Sequence, residues 1–186
     1  MIVCMASGNG SNFEAIVKSG IKIDLVITNR ETARVIDRAK KLNIACIFNN
    51  TEYEACVPEN TKLVILAGFM KILSKEFVEK YPTVNIHPSL LPSFRGKDAV
   101  AQALDAGVKI VGCTVHWVDE GMDTGKIISQ KSCAVYEDDN EHTLHARIHE
   151  LEHQLYSKTI KQIISESCKK NNLGRNASSI SFGNFN

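Results

Sequence analysis

The chain is predicted to be an α/β protein, one domain with a Rossmann-like open mixed sheet, mostly parallel, flanked by helices. Three features of the sequence lead there. Short apolar runs alternate with helical stretches through the first half, the rhythm of βαβ units with right-handed crossovers. Leu63-Val64-Ile65-Leu66-Ala67 is continuously apolar, as a strand covered on both faces of a parallel sheet must be. Finally, 186 residues, 44% of them hydrophobic and 23% charged, suffice for one core without disulfides or a structural metal.

Each element has its own local reason. Ile2 to Ala6 is a short apolar run ended by Ser7-Gly8-Asn9-Gly10, and Ser11 to Ser19 reads as the first helix. Ile23 to Thr28 is the second strand, Ala33 to Lys41 a helix, and Ile44 to Phe48 a third strand. Residues 51–60 are polar, and Pro58 interrupts any helix there. After the 63–67 strand, a helix from about Lys75 to Lys80 leads to the strand Thr83-Val84-Asn85-Ile86. The pattern changes after Pro92. Asp98 to Ala106 is a helix stopped by Gly107, and the strands Ile110 to Val118 and Lys126 to Tyr136 follow. Their connection, Asp119 to Gly125, is short enough for an antiparallel hairpin, which makes the sheet mixed. A long helix from about Asp139 to Cys168 carries Leu144, Ile148, Leu151, Leu155 and Ile160 near helical period. The expected organisation is a catalytic domain over 1–168 and a flexible tail, rich in Asn, Ser and Gly, over 169–186.

Composition excludes several classes of function. Lys and Arg total 22 against 21 Asp and Glu, a net charge of +1, so no global basic field exists for nucleic acid. No run approaches the ~18 apolar residues of a membrane span, and no secretory leader precedes the first glycine turn. Cys4, Cys46, Cys56, Cys113, Cys133 and Cys168 are irregularly spaced, which points to free thiols and a cytoplasmic protein.

Four places could carry chemistry. The turn Ser7-Gly8-Asn9-Gly10-Ser11-Asn12 joins a strand to a helix, and helix N-terminal amides with the Ser11 hydroxyl suit an anion such as phosphate. It is neither a dinucleotide fingerprint, since Phe13 stands at the third glycine, nor a Walker loop. A plain connection with no ligand remains open for it. In Asn85-Ile86-His87-Pro88, Asn85 and His87 are two apart on a strand, so they share a face at its carboxyl end. An amide beside an imidazole can hold a carbonyl oxygen and move a proton. A capping Asn and a hydrogen-bonded His would read the same way. Asp119, Glu120 and Asp123 form an acidic loop that could orient an imidazole or be a polar hairpin turn. Last, His149-Glu150-Leu151-Glu152-His153 satisfies the H-E-x-x-H zinc pattern, but it has no evident third ligand and reads better as a partly packed stripe with His142 and His145.

In combination these stretches resemble the folate-dependent formyltransferase family, in its phosphoribosylglycinamide branch. The resemblance rests on Ser7 to Asn12, Leu66-Ala67-Gly68-Phe69-Met70-Lys71-Ile72-Leu73, Asn85-Ile86-His87-Pro88-Ser89-Leu90-Leu91-Pro92, Gly112 to Gly125, and Glu152-His153 with Tyr156. It spans roughly residues 1–165. It implies formyl transfer from the cosubstrate 10-formyltetrahydrofolate to the amine of glycinamide ribonucleotide, in a monomer or homodimer, with no metal, nucleic-acid or membrane partner. By the same resemblance Gly10, Ser11 and Asn12 hold the ribonucleotide phosphate and Glu152 meets the ribonucleotide. Met70, Lys71, Ile72, Leu73 and Asn85 line the folate site. Asn85 binds the formyl oxygen, His87 stabilises the oxyanion and donates the proton, and Asp123 raises the His87 pKa and assists the proton relay.

The chain departs from the family pattern in three places. Residues 49–62 form a shorter segment, leaving no counterpart for a folate-contacting Arg. Lys71 stands where Arg is common and Lys126 where Pro is common. Methionyl-tRNA and sugar-nucleotide formyltransferases share Asn85, His87 and Asp123, and the expected lack of an RNA-binding domain after the long helix speaks against the former. A zinc hydrolase and a non-catalytic ribonucleotide-binding module are the rivals from other classes.

Overall fold

The computed structural model describes residues 1–177 and has the expected alternation. Strands β1 (Ile2–Met5), β2 (Leu25–Thr28), β3 (Ala45–Phe48), β4 (Leu63–Leu66) and β5 (Thr83–His87) are separated by helices α1 (Ser11–Lys18), α2 (Val35–Lys41) and α3 (Lys75–Lys80). Then come α4 (Ala99–Asp105), β6 (Ile110–Trp117), β7 (Ile127–Ala134) and α5 (Glu141–Ala177). One sheet has the order β3-β2-β1-β4-β5-β6-β7. Strands β1 to β5 pair in parallel, whereas β5–β6 and β6–β7 are antiparallel.

Strand alternation divides the core between the two faces. Cys4, Val26, Ile65 and Val84 pack with Phe13 and Ile16 of α1 and with Leu144, Ile148, Tyr156 and Ile160 of α5. Val3, Met5, Ile27, Val64 and Leu66 point the other way, onto Phe77 and Tyr81. β4, the continuous apolar run, is buried at every position, as expected. Leu151 on α5 is only partly buried, while Glu152 and Tyr156 are buried. The Tyr156 hydroxyl donates to both Leu66 O and Val84 O at 2.9 Å, which ties the long helix to β4 and β5.

Two segments go beyond the sequence expectation. α5 extends through Ala177, past the end expected near Cys168, because nothing in its backbone stops it there; residues 178–186 of the expected tail lie outside the described residues. Residues 51–60 form turns, anchored by the Glu54 carboxylate, which accepts from Ser74 N at 2.7 Å and Ser74 Oγ at 2.6 Å. Ser74 in turn caps α3 by accepting from Phe77 N. Among the described residues no helix is long and apolar enough to cross a membrane.

The strand order reverses between β1, which feeds outward to β2, and β4, which feeds toward β5. Loops leaving the carboxyl ends of β1 and β4 therefore diverge, and open α/β sheets place their ligand crevice in that gap. The sequence-predicted turns after β1, β4 and β5 all fall there.

Candidate active site

The crevice is a cleft of about 610 Å³. Gly10, Ser11, Asn12, Met70, Lys71, Ile72, Leu73, Asn85, His87, Asp123 and Glu152 all line it. The structure thus brings together every residue that the family resemblance assigns to the site, from elements as distant as β1 and α5, whereas Glu120, His142, Glu150 and His153 of the other candidate stretches do not line it.

One end is the turn after β1. Gly10 is the residue before α1 and adopts φ 74°, a left-handed conformation. A Cβ there would also stand 2.6 Å from Val35 Cγ2, so only glycine lets α2 approach the turn. No side chain caps α1, whose first-turn amides open at the cleft. The Asn12 amide nitrogen donates to Glu152 Oε2 at 3.0 Å. Its Oδ1 is buried with no partner among the described residues. Burial pushes the Glu152 carboxyl up to about 7, with the Asn12 hydrogen bond opposing. The turn is clamped to the loop after β4 by Ser7, whose amide donates to Gly68 O at 3.0 Å and whose hydroxyl accepts from Met70 N at 2.8 Å.

The middle of the cleft is walled by that loop. Leu73 is buried, but Met70 and Ile72 are 61% and 67% exposed, with Met122 at 53% opposite them along the cleft. Three large apolar side chains left in water around one opening form a surface suited to a flat ring system.

The far end holds the titratable groups. The β5 pleat puts Asn85 and His87 on one face, and antiparallel pairing sets His116 of β6 opposite Asn85. Asn85 Nδ2 is 3.2 Å from His116 Nε2. The His116 Nδ1 donates to Trp117 O at 2.8 Å, and Nε2 lies between the Asn85 amide and the Asp123 carboxylate. Asp123, at φ 53° in the hairpin loop, reaches back to both rings. Its Oδ2 is 3.3 Å from His87 Nδ1 and its Oδ1 is 3.5 Å from His116 Nε2. Burial works against ionisation of Asp123, yet the His116 contact, the Gly96 amide at 2.9 Å and His87 outweigh it and hold its pKa below the usual carboxylate value. His87 Nε2 bonds to Phe94 O at 2.8 Å. Both nitrogens of His87 therefore face oxygens that can only accept. The loop carrying Phe94 is held by Ser89 and Thr114, through Ser89 Oγ to Ser93 O and Thr114 Oγ1 to Ser89 O.

Sequence reasoning missed two residues of this site. His116 lies in a largely apolar strand, and the one ring in it that can take up a proton was the available signal. His149 lies one helical turn before Glu152 and lines the cleft, with Nε2 2.8 Å from Ser11 Oγ. The H-E-x-x-H match had drawn attention to His149 for a different chemistry. Among the described residues no group of three or more His, Cys, Asp or Glu is placed to hold a metal ion.

Residues 1–160 match the formyl transferase family, and the chain belongs to it. Within that class it is similar to the phosphoribosylglycinamide formyltransferase of Bacillus subtilis, with 42% identity over 179 residues, covering 86% of this chain and 92% of that protein. The trifunctional purine biosynthetic protein adenosine-3 of Bos taurus is 36% identical over 194 residues, which is 94% of this chain and 19% of that longer protein. Among solved structures, phosphoribosylglycinamide formyltransferase from Bacillus halodurans superposes with a TM-score of 0.83 at 36% identity, covering 89% of this chain and 96% of that one. The chain is an enzyme of this family, and its sheet and flanking helices are those of the family's solved members.

Proposed function

We propose that this formyltransferase moves the formyl group of 10-formyltetrahydrofolate onto the primary amine of glycinamide ribonucleotide, a step of purine biosynthesis. The observation that carries the reading is the cleft itself. An anion-suited turn with Asn12 and Glu152 stands at one end, an Asn–His–Asp cluster at the other, and an exposed apolar rim between them. The relatives' names supply the substrate, since they are formyltransferases acting on phosphoribosylglycinamide.

The chemistry follows from where charge develops. A neutral amine attacking the formyl carbon places negative charge on the formyl oxygen and positive charge on its own nitrogen. Asn85 donates toward the oxygen, and His87 does so by exchanging its Nε2 bond to Phe94 O for one to the oxygen, a contribution of roughly 3–4 kcal/mol for each well-aimed donor. Asp123 orients His87 and stabilises the ring while it is charged, and it serves as a station for the proton on its way from the amine to the folate nitrogen, which leaves protonated as its bond to the formyl carbon breaks. Gly10, Ser11 and Asn12 hold the phosphate at the α1 terminus, and Glu152 accepts from the ribose. Met70, Lys71, Ile72 and Leu73 receive the folate through main-chain groups and apolar surface. The donor supplies an activated one-carbon unit; the chain supplies placement and proton movement.

The purified chain with 10-formyl folate and glycinamide ribonucleotide tests this by the absorbance of released folate. Turnover with that amine and none with charged methionyl-tRNA is expected. Turnover of the tRNA alone, or of neither, would contradict the proposal.

A further inference from the structure

α5 brings a second set of imidazoles to the cleft, at the end away from His87. His145 and His149 line it with Glu141 and Glu152. His149 Nε2 lies 2.8 Å from Ser11 Oγ and 4.0 Å from Glu152 Oε2. Its side chain keeps 30% exposure, so it can exchange protons with solvent. Beside it the Asn12 Oδ1 is buried without a partner among the described residues. Among the residues that line the cleft, no Lys or Arg stands at this end. Arg38, on α2, is engaged by Asn9 O, Asn9 Oδ1 and Glu14. The cleft's lysines, Lys71 and Lys97, come from the loops after β4 and β5.

We infer that His149 is a proton-coupled phosphate contact, neutral and latched to the Ser11 hydroxyl in the free enzyme, and protonated from solvent when a dianionic phosphate ester occupies the turn. The inference rests on the proposed reading of that turn as the ribonucleotide phosphate site. One N–H bond forms on His149 as one bond to hydrogen breaks in the donor, hydronium or a buffer acid, whose conjugate base is released to solvent, and no heavy-atom bond changes. The hydroxyl of Ser11 is released to donate to the phosphate, and the imidazolium provides the full charge that backbone dipoles lack.

The surroundings support both states. On α5 itself His149 is flanked by His153, with ring centroids 4.3 Å apart, by His145 at 6.0 Å, and by Glu152. From α1 it meets Ser11, with Asn12 beside it, and from α2 Arg38 acts on His153. Glu141, Lys97 and Asp98 are the other charged groups on the cleft near α4 and α5. Burial, then His153 and His145, pushes His149 down to about 4, which leaves the ring neutral at pH 7. A dianion at hydrogen-bond distance acts in the opposite direction. Above the phosphate's own second pKa of about 6, binding then takes up protons, and affinity falls as pH rises through the bound-state pKa of His149. Because Glu152 also titrates near pH 7, only a site-resolved readout is decisive.

The test is NMR of the full chain, following the His149 Cε1–H resonance, assigned by its loss in His149→Gln, against pH with and without glycinamide ribonucleotide. The expected result is a His149 pKa raised above about 6.5 on saturation, a rise of about two units or more, and no rise with the dephosphorylated ribonucleoside. A pKa that stays below about 6 with the ribonucleotide bound overturns the inference and leaves the proposed function standing. Failure of the ribonucleotide to bind overturns both. Kinetics give a second reading. His149→Gln, which can still bond Ser11, should raise the ribonucleotide KM about tenfold near pH 6.5, retain kcat, and flatten the pH dependence of KM. A variant with the wild-type KM profile contradicts the assignment.

Discussion

Glu152 is buried and Asp123 half-buried in one cleft, and their surroundings push them in opposite directions. Asp123 is held ionised by two imidazoles and an amide. Glu152, with one amide partner and more burial, is raised to about 7. An acid raised from 4.5 to about 7 binds more protons folded than unfolded across that window, so its contribution to stability falls as pH rises from 4.5 to 7. The full effect is about 3 kcal/mol. Glu152→Gln should therefore gain stability over wild type when urea unfolding is moved from pH 5 to pH 8. A constant difference between the two proteins would contradict the assigned burial cost. Which residues share the site was legible where motif and strand end coincide, as at Asn85 and His87. His116 was not, because its proximity to Asn85 is a matter of cross-strand register, and no local pattern encodes which residue of β6 will stand opposite.

Helices and strands here carry side chains whose value lies in joining elements. Tyr156 donates to the carbonyls of Leu66 at the end of β4 and Val84 near the start of β5, the two strands that lead to the Met70–Leu73 loop and to His87. Removing the hydroxyl leaves two buried carbonyls short of a donor. Tyr156→Phe should cost about 1–3 kcal/mol in unfolding, read from the denaturant midpoint, with the near-ultraviolet spectrum of the fold retained. A loss below a few tenths would show that the strand ends do not depend on this tie. Element order and type followed from apolar periodicity, and the strand boundaries moved by only a residue or two. The end of α5 was less legible, since the polar residues after Cys168 are compatible with either helix or coil when no glycine or proline stops the chain early.

At the scale of the whole molecule, charge is arranged locally. In the proposed reading, a chain with net charge +1 meets an anion with one helix terminus, and the inferred imidazolium adds to it only when the anion is present. The core unites α1, α4 and α5 on one sheet face, and the cleft opens where the strand order reverses. All the contacts to that cleft come from residues before Ser157. With the catalytic unit expected over 1–168, deletion of residues 172–186 should leave kcat/KM within about twofold of the full chain. A severe loss would show that this segment docks on the enzyme.

The central claim is that Asn85, His87 and Asp123 act together on a formyl group, with Asp123 setting the protonation and orientation of His87. The most direct measurement is kcat of Asp123→Asn for glycinamide ribonucleotide and 10-formyl folate, alongside circular dichroism and unfolding of the same sample. The account predicts a loss of roughly 10²-fold or more in kcat with the fold intact, because the amide neither balances an imidazolium nor accepts a proton. Near-wild-type turnover by that variant would contradict it.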